Sequence, residues 1–363
     1  MKKRLRPLMY LFIVYFISTA AVMECSPDEP VCDNGFTDNK LENLFNRKCG
    51  WIAGDACYSL QLSNGNHIWM FGDSYVDQYD FSTGTVPCMF NTNNTMLYHL
   101  PNNYNDVFTL KGYFSVGGDM TSPVEWPGAA FETNSKAYVW VGSFNSSMQI
   151  QSQRLKYFNI DDVNTNGIIN LPQYKDFNYS CGFVNKGDGY IYAYGTTSGF
   201  GASSYGLNAL ILARFPKTNV NSSAWRYWTG SSWSSNIADT KQLMYAVLPT
   251  VAKVGNKVVV ISQDLNLNCN SAYHKIYAAY ASNVTGPFSN SEPVYTVPSM
   301  YGSIPHYYSC VAHPEFVRNG KTLVTFCINE IGTNCHTCNG GFKPNLYRPK
   351  MVWLDLSGPT AGS

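Results

Sequence analysis

Charge is scarce in this chain of 363 residues: Asp, Glu, Lys and Arg make up 13% of it, and the formal net charge is +1. A chain so nearly neutral has no field with which to gather a polyanion, so nucleic acid is not an expected partner. No amphipathic helix of convincing length can be read, because no stretch sustains an apolar repeat at three and four residues. Beyond residues 1–23 no apolar run is long enough to cross a bilayer. A phosphate-binding loop is missing too: Gly199-Phe-Gly201 is a lone glycine pair and reads as a turn. Cys335-His336-Thr337-Cys338 has no second Cys-x-x-Cys at zinc-site spacing, so it reads as a local disulfide loop.

Aromatic residues are what the chain has in excess, 15% of it, with 26 Tyr and 20 Phe. A neutral, aromatic-rich surface suits carbohydrate, whose CH faces stack on aromatic rings. Lys2-Lys3-Arg4-Leu5-Arg6, the apolar stretch from Leu8 through Ile17 and the small residues Ser18 to Ala21 form a signal-peptide pattern over residues 1–23. The expected protein is therefore exported and, after cleavage, free of a membrane span. Glu24 is a poor match to the small residue that would precede a lipoprotein cysteine at Cys25. In an oxidising compartment most of the 11 cysteines are expected in disulfides. Sequons at Asn93, Asn145, Asn178, Asn221 and Asn283 are expected on surface loops if the source glycosylates.

After a polar lead over residues 24–48, one pattern recurs. Residues 49–77 hold Tyr58, Leu60 and Leu62 in alternation with polar positions, then the turn pair Asn64-Gly65, then the apolar run Ile68 to Phe71. Residues 129–143, 181–196, 248–263 and 311–327 repeat it: an apolar strand, a Gly or Asn turn, and a strongly β-prone second strand. The turns fall near Gly65, Asn134, Asp188, Asn256 and Gly320, with further strands expected at 95–100, 108–114, 207–215, 225–228, 275–281 and 351–356. Five such units without helices predict an all-β fold, a five-bladed β-propeller over residues 49–357 followed by a short tail at 358–363. A monomer is expected.

In a propeller the innermost strands begin near the axis, so side chains there converge. Aligning the units on their turns places Asp55, Glu125, Tyr179-Ser180, Tyr245 and Cys310 at equivalent positions, with His313 and Glu315 slightly further along. Paired carboxylates are what glycosidic cleavage needs, one as acid and one as base or nucleophile. The candidate catalytic residues are Asp55 as base or nucleophile, Glu125 or Glu315 as acid, and Asp73 as a group that orients the base or forms a turn. Trp126, His313, Tyr308 and Tyr245 are the candidate substrate contacts, and Trp225, Trp228 and Trp233 are expected in outer strands. Three alternatives stand beside a hydrolase: a non-catalytic glycan binder, a polysaccharide lyase using His313 with Tyr307 or Tyr308, and an esterase. The last rests on Phe71-Gly72-Asp73-Ser74, which resembles the nucleophile block of Gly-Asp-Ser lipases, although the C-terminal Asp-x-x-His of that family is missing.

Gly54-Asp55, Ile68-Trp69-Met70-Phe71-Gly72-Asp73, Trp126-Pro127-Gly128, the run from Gly189 to Gly195, Ala213-Arg214, Gly286-Pro287-Phe288 and Ala312-His313-Pro314-Glu315 together carry a family resemblance. Over residues 50–356 the chain resembles secreted five-bladed propellers related to the arabinanase-like glycoside hydrolases, some of which are endo-D-arabinanases. The resemblance implies a funnel at the propeller axis and a furanose- or pyranose-containing polysaccharide, arabinan- or xylan-like, as substrate. It implies that Asp55 is the first-blade aspartate and that His313 is an axial histidine able to neighbour a bound cation such as calcium. Ser74 stands where that group more often has Thr, and no clear acid is visible in the third blade.

Overall fold

The computed structural model describes residues 40–358 except 117, 199–206, 265–268 and 330–336, so the leader, Cys25, Cys32 and the Gly199-Phe-Gly201 turn lie outside the described residues. Five antiparallel sheets follow one another along the chain, as the hairpin repeat predicts. The first is made by Tyr58–Gln61, His67–Phe71, Thr95–His99 and Val107–Lys111, and the second by Val124–Thr133, Lys136–Phe144, Ile150–Asn159 and Asp162–Asn170. The third runs Asn178–Asn185, Tyr190–Thr197, Leu207–Pro216, Arg226–Trp228 and Trp233–Ser234, with Met244–Val247 paired onto its third strand. The fourth is Thr250–Val254, Lys257–Gln263, Lys275–Ala281 and Glu292–Thr296, and the fifth Tyr307–Arg318, Lys321–Ile328 and Lys350–Leu354. Each innermost strand packs against those of the flanking blades, and the first meets the fifth. The ring is a closed five-bladed β-propeller.

The second strand of each blade is apolar at nearly every position because both faces of its sheet are covered. Val258 and Val260 point into the seam between the third and fourth blades, while Val259 and Ile261 point into the seam between the fourth and fifth. Ile68 and Met70 likewise serve the seam with the second blade, and Trp69 and Phe71 the seam with the fifth. Alternation along a strand thus feeds two cores at once.

Closure between first and fifth blades is reinforced by polar and covalent ties. The buried Arg348 guanidinium donates from Nε to the Ile52 carbonyl at 2.7 Å and also to the Arg47 carbonyl. Cys88 and Cys338 form a disulfide across 250 residues of sequence, which places Cys338 in a long-range link rather than in a local Cys335–Cys338 loop. Cys49 and Cys269 are also disulfide-bonded, while Cys57, Cys181, Cys310 and Cys327 are buried free thiols. These four behave as small apolar side chains in the blade cores. Among the described residues no helix is long and apolar enough to cross a membrane.

Candidate active site

At one end of the axis lies a funnel of about 1250 Å³, lined by the starts of the innermost strands and the loops beside them. Asp55 follows the short strand Trp51–Gly54, and Asp73 stands between His67–Phe71 and Ser74–Val76, which pairs with that short strand. Their backbones are joined directly: Asp55 N donates to the Asp73 carbonyl at 3.3 Å and Gly72 N to the Asp55 carbonyl at 2.9 Å. A Cβ at 72 would meet Asp55 Oδ1, so glycine there leaves room for the Asp55 carboxylate in this position. Two carboxylates are thereby set close together, both partly exposed to the funnel.

Each carboxylate has its own donors. Asp55 Oδ2 accepts from the hydroxyls of Tyr308 at 2.8 Å and Tyr347 at 3.1 Å. Asp73 Oδ1 accepts from Trp126 Nε1 at 2.9 Å and Asn93 Nδ2 at 3.2 Å. Burial pushes the Asp55 carboxyl up to about 6, against the opposing pull of the two phenols. Burial and then the neighbouring Asp55 charge push Asp73 up to about 7, against Trp126 and Asn93. Near neutral pH the pair therefore holds about one proton, with Asp73 the better holder and Asp55 the better base.

The other sequence candidates separate on inspection. Trp126 and Tyr308 reach the funnel and touch the acid pair, but Glu125 does not line it. Glu125 is buried in an ion pair with Arg154 and accepts from Val116 N at 2.6 Å. The reason is strand alternation: aligning the units on their turns misses the funnel-facing position of the second blade by one residue, and one residue exchanges the faces. Trp126 holds that position. Glu315 lies further down the axis, bonded to Ser59, where burial raises its carboxyl and Ser59 opposes the rise. Tyr245 sits on Met244–Val247 outside the funnel, its hydroxyl donating to Gln242 Oε1 at 3.0 Å.

His313 is fully buried, with Nδ1 at 2.5 Å from Ser59 Oγ, Nε2 at 2.8 Å from Thr325 Oγ1, and Trp69 against its ring. Burial drives it down to about 3, so the imidazole is neutral. With both nitrogens engaged it does not fit direct ligation of a cation, and it is not placed to act with a tyrosine as a lyase pair. Tyr307 and Tyr308 spend their hydroxyls on the Lys275 carbonyl and on Asp55. Ser74 is fully buried and donates to the Gly72 carbonyl at 2.8 Å, so the hydroxyl required of an esterase nucleophile is unavailable.

Four residues of the site are not among the sequence candidates. Tyr347 comes from the loop before the last strand, where nothing in the sequence signals a site. Asn93 was read as a surface sequon, yet it is buried on Asp73, and the sequon residue Asn178 lines the funnel. Asp176 lines the funnel two residues before the third innermost strand, much as Asp55 precedes the first. Burial would raise it, but bonds from Ser198 and from Thr197 Oγ1 at 2.5 Å outweigh this and hold it below the usual carboxylate range. Asp176 is thus a fixed anion, unsuited to donate a proton at neutral pH.

Fold and site together define a five-bladed β-propeller with an acid pair at the mouth of its axis. The chain belongs to the family described as "Domain of unknown function (DUF5005)", whose profile matches residues 38–355. No curated protein matches it. Among solved structures it is similar to a Bacteroides ovatus protein provisionally named a hydrolase, with 18% identity, a TM-score of 0.67, and coverage of 88% of this chain and 92% of that one. It is also similar to a thermostable family-43 glycoside hydrolase, with 12% identity, a TM-score of 0.50, and coverage of 86% and 95%. At these identities the likeness is one of fold.

Proposed function

We propose that this protein is an exported glycoside hydrolase acting on a polysaccharide, with Asp73 as general acid and Asp55 as base or nucleophile. The observation that carries the proposal is the pair itself: two adjacent funnel carboxyls whose surroundings raise one to about 6 and the other to about 7. Glycosidic cleavage needs one protonated and one ionised carboxyl, and a pair sharing a proton provides both. The tyrosines that donate to Asp55 stabilise its anion. Trp126 and Asn93 both point at Asp73 Oδ1, so Oδ2 is the oxygen that carries the transferable proton. An arabinan- or xylan-like substrate accords with the aromatic funnel, and the family-43 glycoside hydrolase that shares the fold supports the reaction class. The Cys88–Cys338 disulfide supports an oxidising compartment.

The test is incubation of the purified protein with a panel of arabinans, xylans and galactans, reading new reducing ends. Release by the wild type and not by Asp73→Asn supports the proposal. Retardation on the same polysaccharides in affinity electrophoresis without any release would replace it with a glycan-binding propeller.

Two further outcomes follow from the pair. The pH profile of kcat/KM is expected to be a bell with limbs near 6 and 7. Below the lower limb Asp55 gains a proton and the base is lost; above the upper limb Asp73 loses its proton and the acid is lost. Tyr308→Phe removes a donor to ionised Asp55, so its lower limb should move up by about one pH unit. A lower limb left in place would show that the phenol does not tune Asp55.

Asp73→Asn should also stabilise the fold. A carboxyl raised from 3.8 to about 7 binds its proton more tightly folded than unfolded, so stability falls as pH rises through that window, by at most about 4 kcal/mol. Asn keeps an oxygen for Trp126 and Asn93 but no charge. Its Tm should exceed the wild type's at pH 8 and approach it at pH 4, which thermal melts at the two pH values will check.

A further inference from the structure

Trp126 links the acid pair to an apolar wall of the funnel built by the second blade. Its ring lies 5.2 Å from that of Phe144, tilted by 39°, and both rings are partly exposed to the cavity. The loop joining Lys136–Phe144 to Ile150–Asn159 carries Met148, which also lines the funnel and is 61% exposed. Met148 holds a left-handed backbone, with φ of 59°, which is costly for any residue with a side chain. The conformation is enforced by Asn145, whose Oδ1 accepts from Ser147 N and Gln149 N at 3.0 Å each, while Met148 N donates to the Asn145 carbonyl at 2.9 Å. A braced loop thus presents an apolar side chain to water, an arrangement that core packing does not explain.

We propose that Trp126, Phe144 and Met148 form the subsite for the leaving-group sugar. This rests on the reading of Asp73 as the acid. A general acid lies against the oxygen it protonates, so the departing ring must occupy space next to Asp73, and the Trp126 indole is bonded to that carboxyl. One CH face of the ring stacks on Trp126 and Phe144, and Met148 covers its edge. The glycone then lies toward the third blade, where Asn178, Ser180 and Asn208 provide polar contacts. The proton passes from Asp73 Oδ2 to the glycosidic oxygen as the bond to the anomeric carbon breaks. Water supplies the hydroxyl of the new hemiacetal, and its proton restores the pair.

Two measurements test the assignment. In the first, xylotriose and arabinotriose are titrated into Asp55→Asn protein while the ¹H–¹⁵N indole resonance of Trp126 is followed, assigned by its loss in Trp126→Phe. A saturable shift is expected. In the second, kcat/KM is compared for a trisaccharide and for the corresponding glycosyl fluoride, whose leaving group has no ring. For Met148→Gly, which suits the left-handed backbone and so should fold, the ratio of trisaccharide to fluoride rates should fall about tenfold. An unchanged ratio in a variant that cleaves both substrates would overturn the subsite while leaving the hydrolase intact. Failure of the wild type to cleave either substrate would overturn both.

Discussion

Asp55→Asn is expected to lower kcat by about two to four orders of magnitude while binding oligosaccharide about as well as the wild type. Asparagine keeps the shape of the side chain and an oxygen for Tyr308 and Tyr347, so the funnel is preserved. It cannot accept a proton or attack an anomeric carbon, so the step that needs a base or nucleophile is lost. A second consequence separates this from simple damage. The Asp55 charge helps to raise Asp73, so neutralising residue 55 should lower the Asp73 carboxyl, and the upper pH limb of the residual activity should move down. Azide or formate that restores turnover would show that the lost group is the carboxylate at position 55, in either role. A variant that has lost binding along with turnover would place Asp55 in recognition instead.

Glu125→Gln is expected to destabilise the fold by about 3–5 kcal/mol, because it leaves the Arg154 cation buried without its anion. The urea midpoint should fall accordingly, with the denaturant slope unchanged. Glu125→Gln combined with Arg154→Met removes both charges and should recover much of the loss. If the double variant is stable and still hydrolyses polysaccharide, Glu125 is a structural strut of the second blade. If it is stable and inactive, Glu125 has a part in the chemistry that its position off the funnel does not suggest.

The blade hairpins were legible because their signals are local: a turn residue tolerant of positive φ, with an apolar run after it long enough to feed two seams. The outer strands of the second blade, Ile150–Asn159 and Asp162–Asn170, were not anticipated. The latter is largely exposed and rich in Asn, so no buried face patterns it. Asp55 and Asp73 were legible because rigid strands bracket them. Glu125 was misplaced since an inner strand's facing depends on a single residue of register, which turn alignment does not fix. Tyr347 and Asn93 reach the acids from loops whose paths are set by tertiary contacts such as Arg348 on Ile52 and the Cys88–Cys338 link.

The claim on which the account turns is that Asp55 and Asp73 share a proton near neutral pH. It is tested without a substrate by labelling aspartate carboxyl carbons with ¹³C and titrating the wild type, Asp55→Asn and Asp73→Asn by NMR. The account predicts that two resonances, each lost in one variant, titrate near 6 and 7, and that the Asp73 resonance shifts toward lower pH in Asp55→Asn. Two carboxyls titrating independently near 4, the ordinary value for aspartate, would contradict it.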